Sequence, residues 1–293
     1  MNGMIKKPNF LEGLNDNLRV SLMNSLRDLW CHTSTAIEGN SLTLGDTQFI
    51  LEEGLTIAGK PLKDHNEIHG HARAIDLVYA MLDQDAITTQ DIFLLHKAII
   101  AENVSDIYQP IGNWKIEPNY TNYVSQSGKS AIREYPAPAL VPKLMNQWIE
   151  KCNDSFGYAK SMTDDIVRAY ADLHLAFVTI HPFYDGNGRM ARLVSNLPVL
   201  KAGFPPIIVP KEDKKRYRET ISEYQESIPN LSRLQDLNEL PKSNAFTELC
   251  KEYWKETIIL VESAKHMQNT QNKARAGIEH QKHKNYRTND FER

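Results

Sequence analysis

The sequence predicts a mostly α-helical protein with one short β-hairpin. Apolar residues recur at steps of three and four on both sides of a glycine-rich segment at residues 181–192, which is the period of buried amphipathic helices. A single stretch, Gly112 to Tyr135, departs from that period; it is rich in Asn, Tyr, Ser and Gly and holds the β-prone pieces Asn113–Ile116 and Tyr120–Val124. The chain has 293 residues, is 41% hydrophobic and carries a net charge of −3, which suits one main globular domain with extensions.

Taken in order, residues 1–59 read as an N-terminal helical segment, 60–238 as a helical core, and 239–293 as a C-terminal helix followed by a basic tail. Met1 to Leu14 lack the basic and apolar regions of a signal peptide, and there is no apolar run of about eighteen residues, so a cytoplasmic protein without a membrane span is expected. Gly54 to Lys60 imitates a phosphate-binding loop, but Pro61 stands where that loop needs a hydroxyl and an N–H donor. His65, Glu67, His69 and His71 miss the metalloprotease spacing and read as helix packing. The sequon Asn103-Val-Ser105 carries no meaning without secretion. Cys31, Cys152 and Cys250 are odd in number and far apart, which excludes a disulfide framework or a zinc cluster.

Ile166, Tyr170, Leu173, Phe177 and Ile180 mark a helix entering the 181–192 segment. Met190, Leu193, Val194, Leu197 and Leu200 mark one leaving it, with Pro198 expected to kink it and Gly203 to stop it. A charged helix follows Pro210, and its Tyr217, Arg218 and Tyr224 could edge a nucleotide pocket. Residues 265–293 hold seven Lys/Arg against three Asp/Glu, a local charge of +4 with few apolar residues, and a frayed helix and disordered tail are expected.

The chemistry concentrates in His181-Pro-Phe-Tyr-Asp-Gly-Asn-Gly-Arg-Met-Ala-Arg192. Gly186 and Gly188 let successive backbone N–H groups converge at the positive end of the following helix, a cradle for phosphate. Arg189 and Arg192, three apart, can grip separate phosphates. Asp185 beside the cradle suits Mg²⁺, which prefers one or two carboxylates together with substrate oxygens. His181, with an ordinary pKa near ~6.5, can take a proton from an attacking hydroxyl. A structural turn does not require a base, an acid, a nest and paired arginines within twelve residues.

These residues resemble the complete signature of the Fic family of nucleotidyltransferases and match it at every position. The resemblance implies a Fic-type helical bundle with a short β-hairpin flap beside the active-site loop. It also implies transfer of AMP from ATP to a Tyr, Thr or Ser hydroxyl of a target protein, self-modification included. By the same resemblance His181 would be the base and Asp185 the Mg²⁺ ligand, while Gly186, Asn187 and Gly188 would position the phosphates and Arg189 and Arg192 would contact the β- and γ-phosphates. Residues 34–39, Ser34-Thr-Ala-Ile-Glu38-Gly39, resemble the inhibitory pattern of the class that carries its own brake N-terminally, with Glu38 expected to pair with Arg192 where phosphate would sit. The 113–135 flap would dock the target segment by strand addition.

Two other readings stand beside this one. Glu38 could orient a water that removes AMP from modified proteins. A nucleic-acid-binding regulator is the other, but after Phe246 there is room for one long helix rather than a winged-helix module. The oligomeric state, a homo-oligomer included, is not written in these motifs.

Overall fold

The computed structural model describes residues 9–100, 108–124, 128–158 and 163–289. The sequon at 103–105, the first eight residues, the centre of the flap at 125–127 and the last four residues of the tail lie outside the described residues.

Helices dominate. α1 (Asp16–Glu38), α2 (Leu44–Glu53), α3 (Leu62–Met81) and α4 (Thr89–Ile100) precede a hairpin of β1 (Tyr120–Val124) and β2 (Ser130–Glu134). Then come α5 (Val141–Ser155), α6 (Thr163–Ile180), α7 (Asn187–Val194), α8 (Leu197–Lys201), α9 (Lys214–Glu226) and α10 (Asn244–Asn289). The strands pair antiparallel with Tyr120 opposite Glu134 and Val124 opposite Ser130.

Helix α6 is the hub, packed against α5, α7, α8 and α10. Its apolar face fits the period read from sequence: Ile166, Tyr170, Leu173, Phe177 and Ile180 are all buried. Trp148 of α5 is fully buried, meets Phe177 edge-on at 5.4 Å and donates its indole N–H to Leu173 O at 2.8 Å. That bond satisfies the polar atom of a large apolar anchor.

Helix α1 is held at both ends. The Asn15 side chain caps its start by accepting from Leu18 N at 3.0 Å, while Asn15 N donates to Gln268 Oε1 on α10 at 2.7 Å. At the other end Gly39, at φ 110°, takes the left-handed conformation and donates to Ala36 O at 3.1 Å, so the helix stops directly after Glu38. α2 opens with a reciprocal capping box between Thr43 and Asp46.

The helix leaving the glycine-rich segment departs from expectation. It is not one kinked helix but two: α7 ends at Val194, and Pro198 sits in the first turn of α8. The first turn makes no use of the missing N–H, so proline starts a helix more readily than it bends one. Gly203, at φ 87°, follows the end of α8. α10 runs on to Asn289, into the segment whose composition suggested a frayed helix and disordered tail. Val261, Ala264 and Gln268 seat it against the body, and the Lys, Gln, Arg and Ala that follow are good helix formers.

The buried indole of Trp148 yields a stability test. Trp148→Ala should lower the unfolding free energy by about 3–5 kcal/mol, read from the urea midpoint at unchanged slope.

Candidate active site

α6 ends at Ile180, and the chain then reverses through His181, which holds φ 51°, a left-handed conformation rare for a residue with a Cβ. Phe183 is fully buried and stacks on His96 at 3.7 Å and 6°, pinning the loop to α4. His96 Nδ1 accepts from Gly112 N at 2.8 Å, which leaves Nε2–H to donate to Asp185 O at 3.1 Å. Gly186 at φ 77° caps α7, and a Cβ there would lie 2.9 Å from Ile100.

Asn187 ties the loop together. Its side chain is turned inward, accepting from Phe183 N at 2.9 Å and donating to Phe183 O at 2.8 Å. The amide is spent on closing the loop, so what Asn187 offers the cradle is backbone.

The two arginines separate. Arg192 is buried, with Nε donating to Ser34 Oγ at 3.0 Å and Nη2 donating to Ser34 O at 2.8 Å and to Glu38 Oε1 at 2.6 Å. Arg218 of α9 donates to Ile37 O at 2.8 Å and to Glu38 Oε2 at 3.2 Å. Burial alone would raise the Glu38 carboxyl, but the charge and hydrogen bond of Arg192, with Arg218 and Arg189 behind, hold it below its ordinary value. Gly188 is what lets Glu38 in: a Cβ at that position would lie 2.7 Å from Glu38 Oε1. The carboxylate therefore rests against the backbone of the cradle itself.

Arg189 faces other carboxylates. Its Nη2 lies 3.2 Å from Asp185 Oδ2 and its Nη1 3.6 Å from Glu67 Oε1, while Glu67 Oε2 accepts from Asn40 Nδ2 at 2.9 Å. Beneath the arginines, burial and the Arg192 charge push His71 and His174 down to about 3, so this layer adds no positive charge. His174 Nε2 meets the Tyr217 hydroxyl at 2.8 Å.

Two adjoining cavities open here. One of about 290 Å³ is lined by Lys63, Glu67, Asp185, Gly186 and Arg189. The other, about 550 Å³, lies under the hairpin and α9, lined by Tyr123, Arg133, Tyr135, Tyr217 and Arg218. Glu38, His181 and Gly188 border both. The Asp185 side chain is 72% exposed, so its carboxylate is accessible to a cation arriving with phosphate oxygens, a donor set that suits Mg²⁺. Tyr224 lies elsewhere, its hydroxyl donating to Pro241 O at 3.0 Å.

His181 stacks on Tyr135 at 3.8 Å and 13°, with Nδ1 3.3 Å from Val178 O. A carbonyl can only accept, so the proton sits on Nδ1 and Nε2 keeps its lone pair. Burial first, then the Lys115 charge, push the imidazole down to about 3, which keeps it neutral at neutral pH.

Sequence reasoning missed Glu67, Asn40, His96, Lys115 and Asn119 as neighbours of this site. Glu67 had a legible signal: Asp64, Glu67 and His71 fall at steps of three and four on one face of α3. The P-loop imitation at 54–60 is the α2–α3 connection, with Gly54 capping α2.

Residues 86–198 match the family model described as Fic/DOC family. The chain is 32% identical to protein adenylyltransferase fic-1 of Caenorhabditis elegans over 199 residues, 67% of this chain and 36% of that protein. It is 35% identical to protein adenylyltransferase Fic of Drosophila persimilis over 185 residues, 63% of this chain and 33% of that protein. The chain thus spans about a third of the length of the curated relatives it matches. A crystal structure of a Fic domain containing signaling protein from Bacteroides thetaiotaomicron superposes with a TM-score of 0.72 at 25% identity, over 87% of this chain and 93% of that one.

The Glu38–Arg192 pair predicts a pH signature. Because the folded carboxyl lies below its ordinary 4.5, its stabilisation is present above that pH and lost as pH falls through the folded value. Glu38→Gln should therefore be less stable than the native chain at pH 7, by about 1–3 kcal/mol. The gap in urea midpoint should close as both are titrated below the folded value, where a protonated Glu38 resembles Gln.

Proposed function

The chain belongs to the Fic/DOC family through residues 86–198, and from that premise we propose that it transfers AMP from ATP to a hydroxyl side chain of a target protein, with Glu38 restraining the reaction. The observation that carries this reading is the Glu38 carboxylate seated over Gly188 and hydrogen-bonded to Arg192 Nη2, an anion in an anion cradle.

In the reaction the backbone N–H groups of residues 186–188, with Arg189 and Arg192, hold the β- and γ-phosphates and orient the α-phosphate. Asp185 would hold Mg²⁺, which when bound offsets the charge of the leaving phosphates. The target hydroxyl, presented along the 113–135 hairpin, gives its proton to His181 Nε2 as its oxygen attacks the α-phosphorus. The bond from that phosphorus to the β-phosphate oxygen breaks, and pyrophosphate leaves.

Restraint follows from occupancy. A carboxylate that lies over Gly188 and takes Arg192 Nη2 leaves no room there for phosphate, so ATP binds productively only in molecules whose Glu38 has moved. The relatives named protein adenylyltransferases support the transfer chemistry. Among the described residues no helix is long and apolar enough to cross a membrane.

Intact mass after incubation with ATP and Mg²⁺ tests the proposal. Glu38→Gly should gain AMP increments that the native chain gains weakly or not at all, and Glu38→Gly/His181→Ala should gain none. By calorimetry ATP should bind Glu38→Gly at least tenfold tighter, about 1.4 kcal/mol. An affinity unchanged by Glu38→Gly would sink the restraint. Chelation of Mg²⁺ should stop transfer by Glu38→Gly.

A further inference from the structure

His181 holds its left-handed backbone conformation at φ 51° only because its surroundings over-determine it. Those surroundings are the root of the hairpin. Lys115 N donates to Pro182 O at 2.8 Å, and Asn119 Nδ2 donates to Phe183 O at 2.9 Å and to His181 O at 3.5 Å. Three successive carbonyls of the catalytic loop are thereby held from one short segment.

The same segment fixes the ring. Asn119 O accepts from Tyr135 N at 3.2 Å, and Tyr135 carries the ring stacked on His181. The Asn119 amide has its own lock: Lys115 Nζ donates to Asn119 Oδ1 at 2.6 Å. An ammonium can only donate, so it forces the amide oxygen toward itself and the amide N–H groups toward the loop. Lys115 is 2% exposed, and a buried ammonium needs such a partner.

We propose that Asn119 is a positioning residue for His181: its amide, oriented by Lys115, ties the hairpin root to residues 181–183 and holds the imidazole facing the hydroxyl that the hairpin presents. The inference rests on the reading of His181 as the base. Asn119 touches neither substrate nor the reacting atoms; it acts through the backbone of the residue that does. The element that carries the target and the residue that deprotonates it then form one rigid frame, and proton transfer and attack share one geometry.

The test uses the full chain with Glu38→Gly as parent. Asn119→Asp keeps the shape and the acceptor for Lys115 but has no N–H for the loop. The expected result is ATP affinity within about twofold of the parent, a thermal midpoint close to it, and kcat for AMP transfer lower by roughly tenfold to a hundredfold. A kcat equal to the parent's would overturn the proposal. A crystal structure of the variant reads the clamp without activity: His181 should leave its left-handed conformation and lose the Val178 contact, and an unchanged loop would overturn the proposal. Were the parent itself inactive on every protein offered, the transfer reading would fall, and the loop conformation would still decide the clamp. Should Asn119→Asp not fold, Tyr135→Leu removes the stack on the same parent. A lower kcat at unchanged ATP affinity is expected there, and an unchanged kcat counts against the frame.

Discussion

A buried guanidinium has to be satisfied on every face, and the arrangement around Arg192 answers that demand. Ser34 gives it a hydroxyl and a carbonyl, Glu38 gives it a carboxylate, and the Tyr217 hydroxyl lies 3.4 Å from Nη1. To deliver Ser34 and Glu38 together, α1 must present them one turn apart on the face that packs against α7, and it must end at once beyond Glu38. Gly39 supplies that ending and Gly188 the room. The last turn of α1 and its glycine stop are thus committed to one ionic contact on α7.

The parts legible in the sequence were those whose physics is local. Period three-and-four apolar residues gave α6, and Gly203 marked the stop after α8. The Glu38–Arg192 contact, 154 positions apart, was legible only through the resemblance of two short patterns. What stayed hidden depends on tertiary meetings between ordinary polar residues. Nothing adjacent to Asn119 distinguishes it from any loop asparagine until the chain brings it beneath Phe183 O. Pro198 misled for a related reason, since proline opens a helix as readily as it interrupts one, and only the break after Val194 decides between them. The long reach of α10 was hidden too, because low apolar content speaks against burial and says little about helix propensity once one end is anchored.

The arginines divide their labour through their carboxylate partners. Arg192 faces the end of α1, whereas Arg189 lies between Asp185 and Glu67. Asn40, two residues beyond Glu38, donates to Glu67, so the end of α1 and the turn just after it reach both arginines, one directly and one through a hydrogen bond to its partner. On the proposed reading, displacement of Glu38 by phosphate would also bear on how Arg189 is held.

Gly188 carries a consequence for how such a site can change. The space its missing side chain leaves is the space the Glu38 carboxylate fills, and on the proposed reading it is also where a phosphate oxygen would come to rest. On that reading a methyl group placed there would crowd carboxylate and phosphate alike, so restraint and transfer would be inseparable at that position. On the same reading, loss of restraint with retention of turnover would come from the carboxylate side of the contact, through Glu38, the helix that carries it or the Arg218 that also holds it.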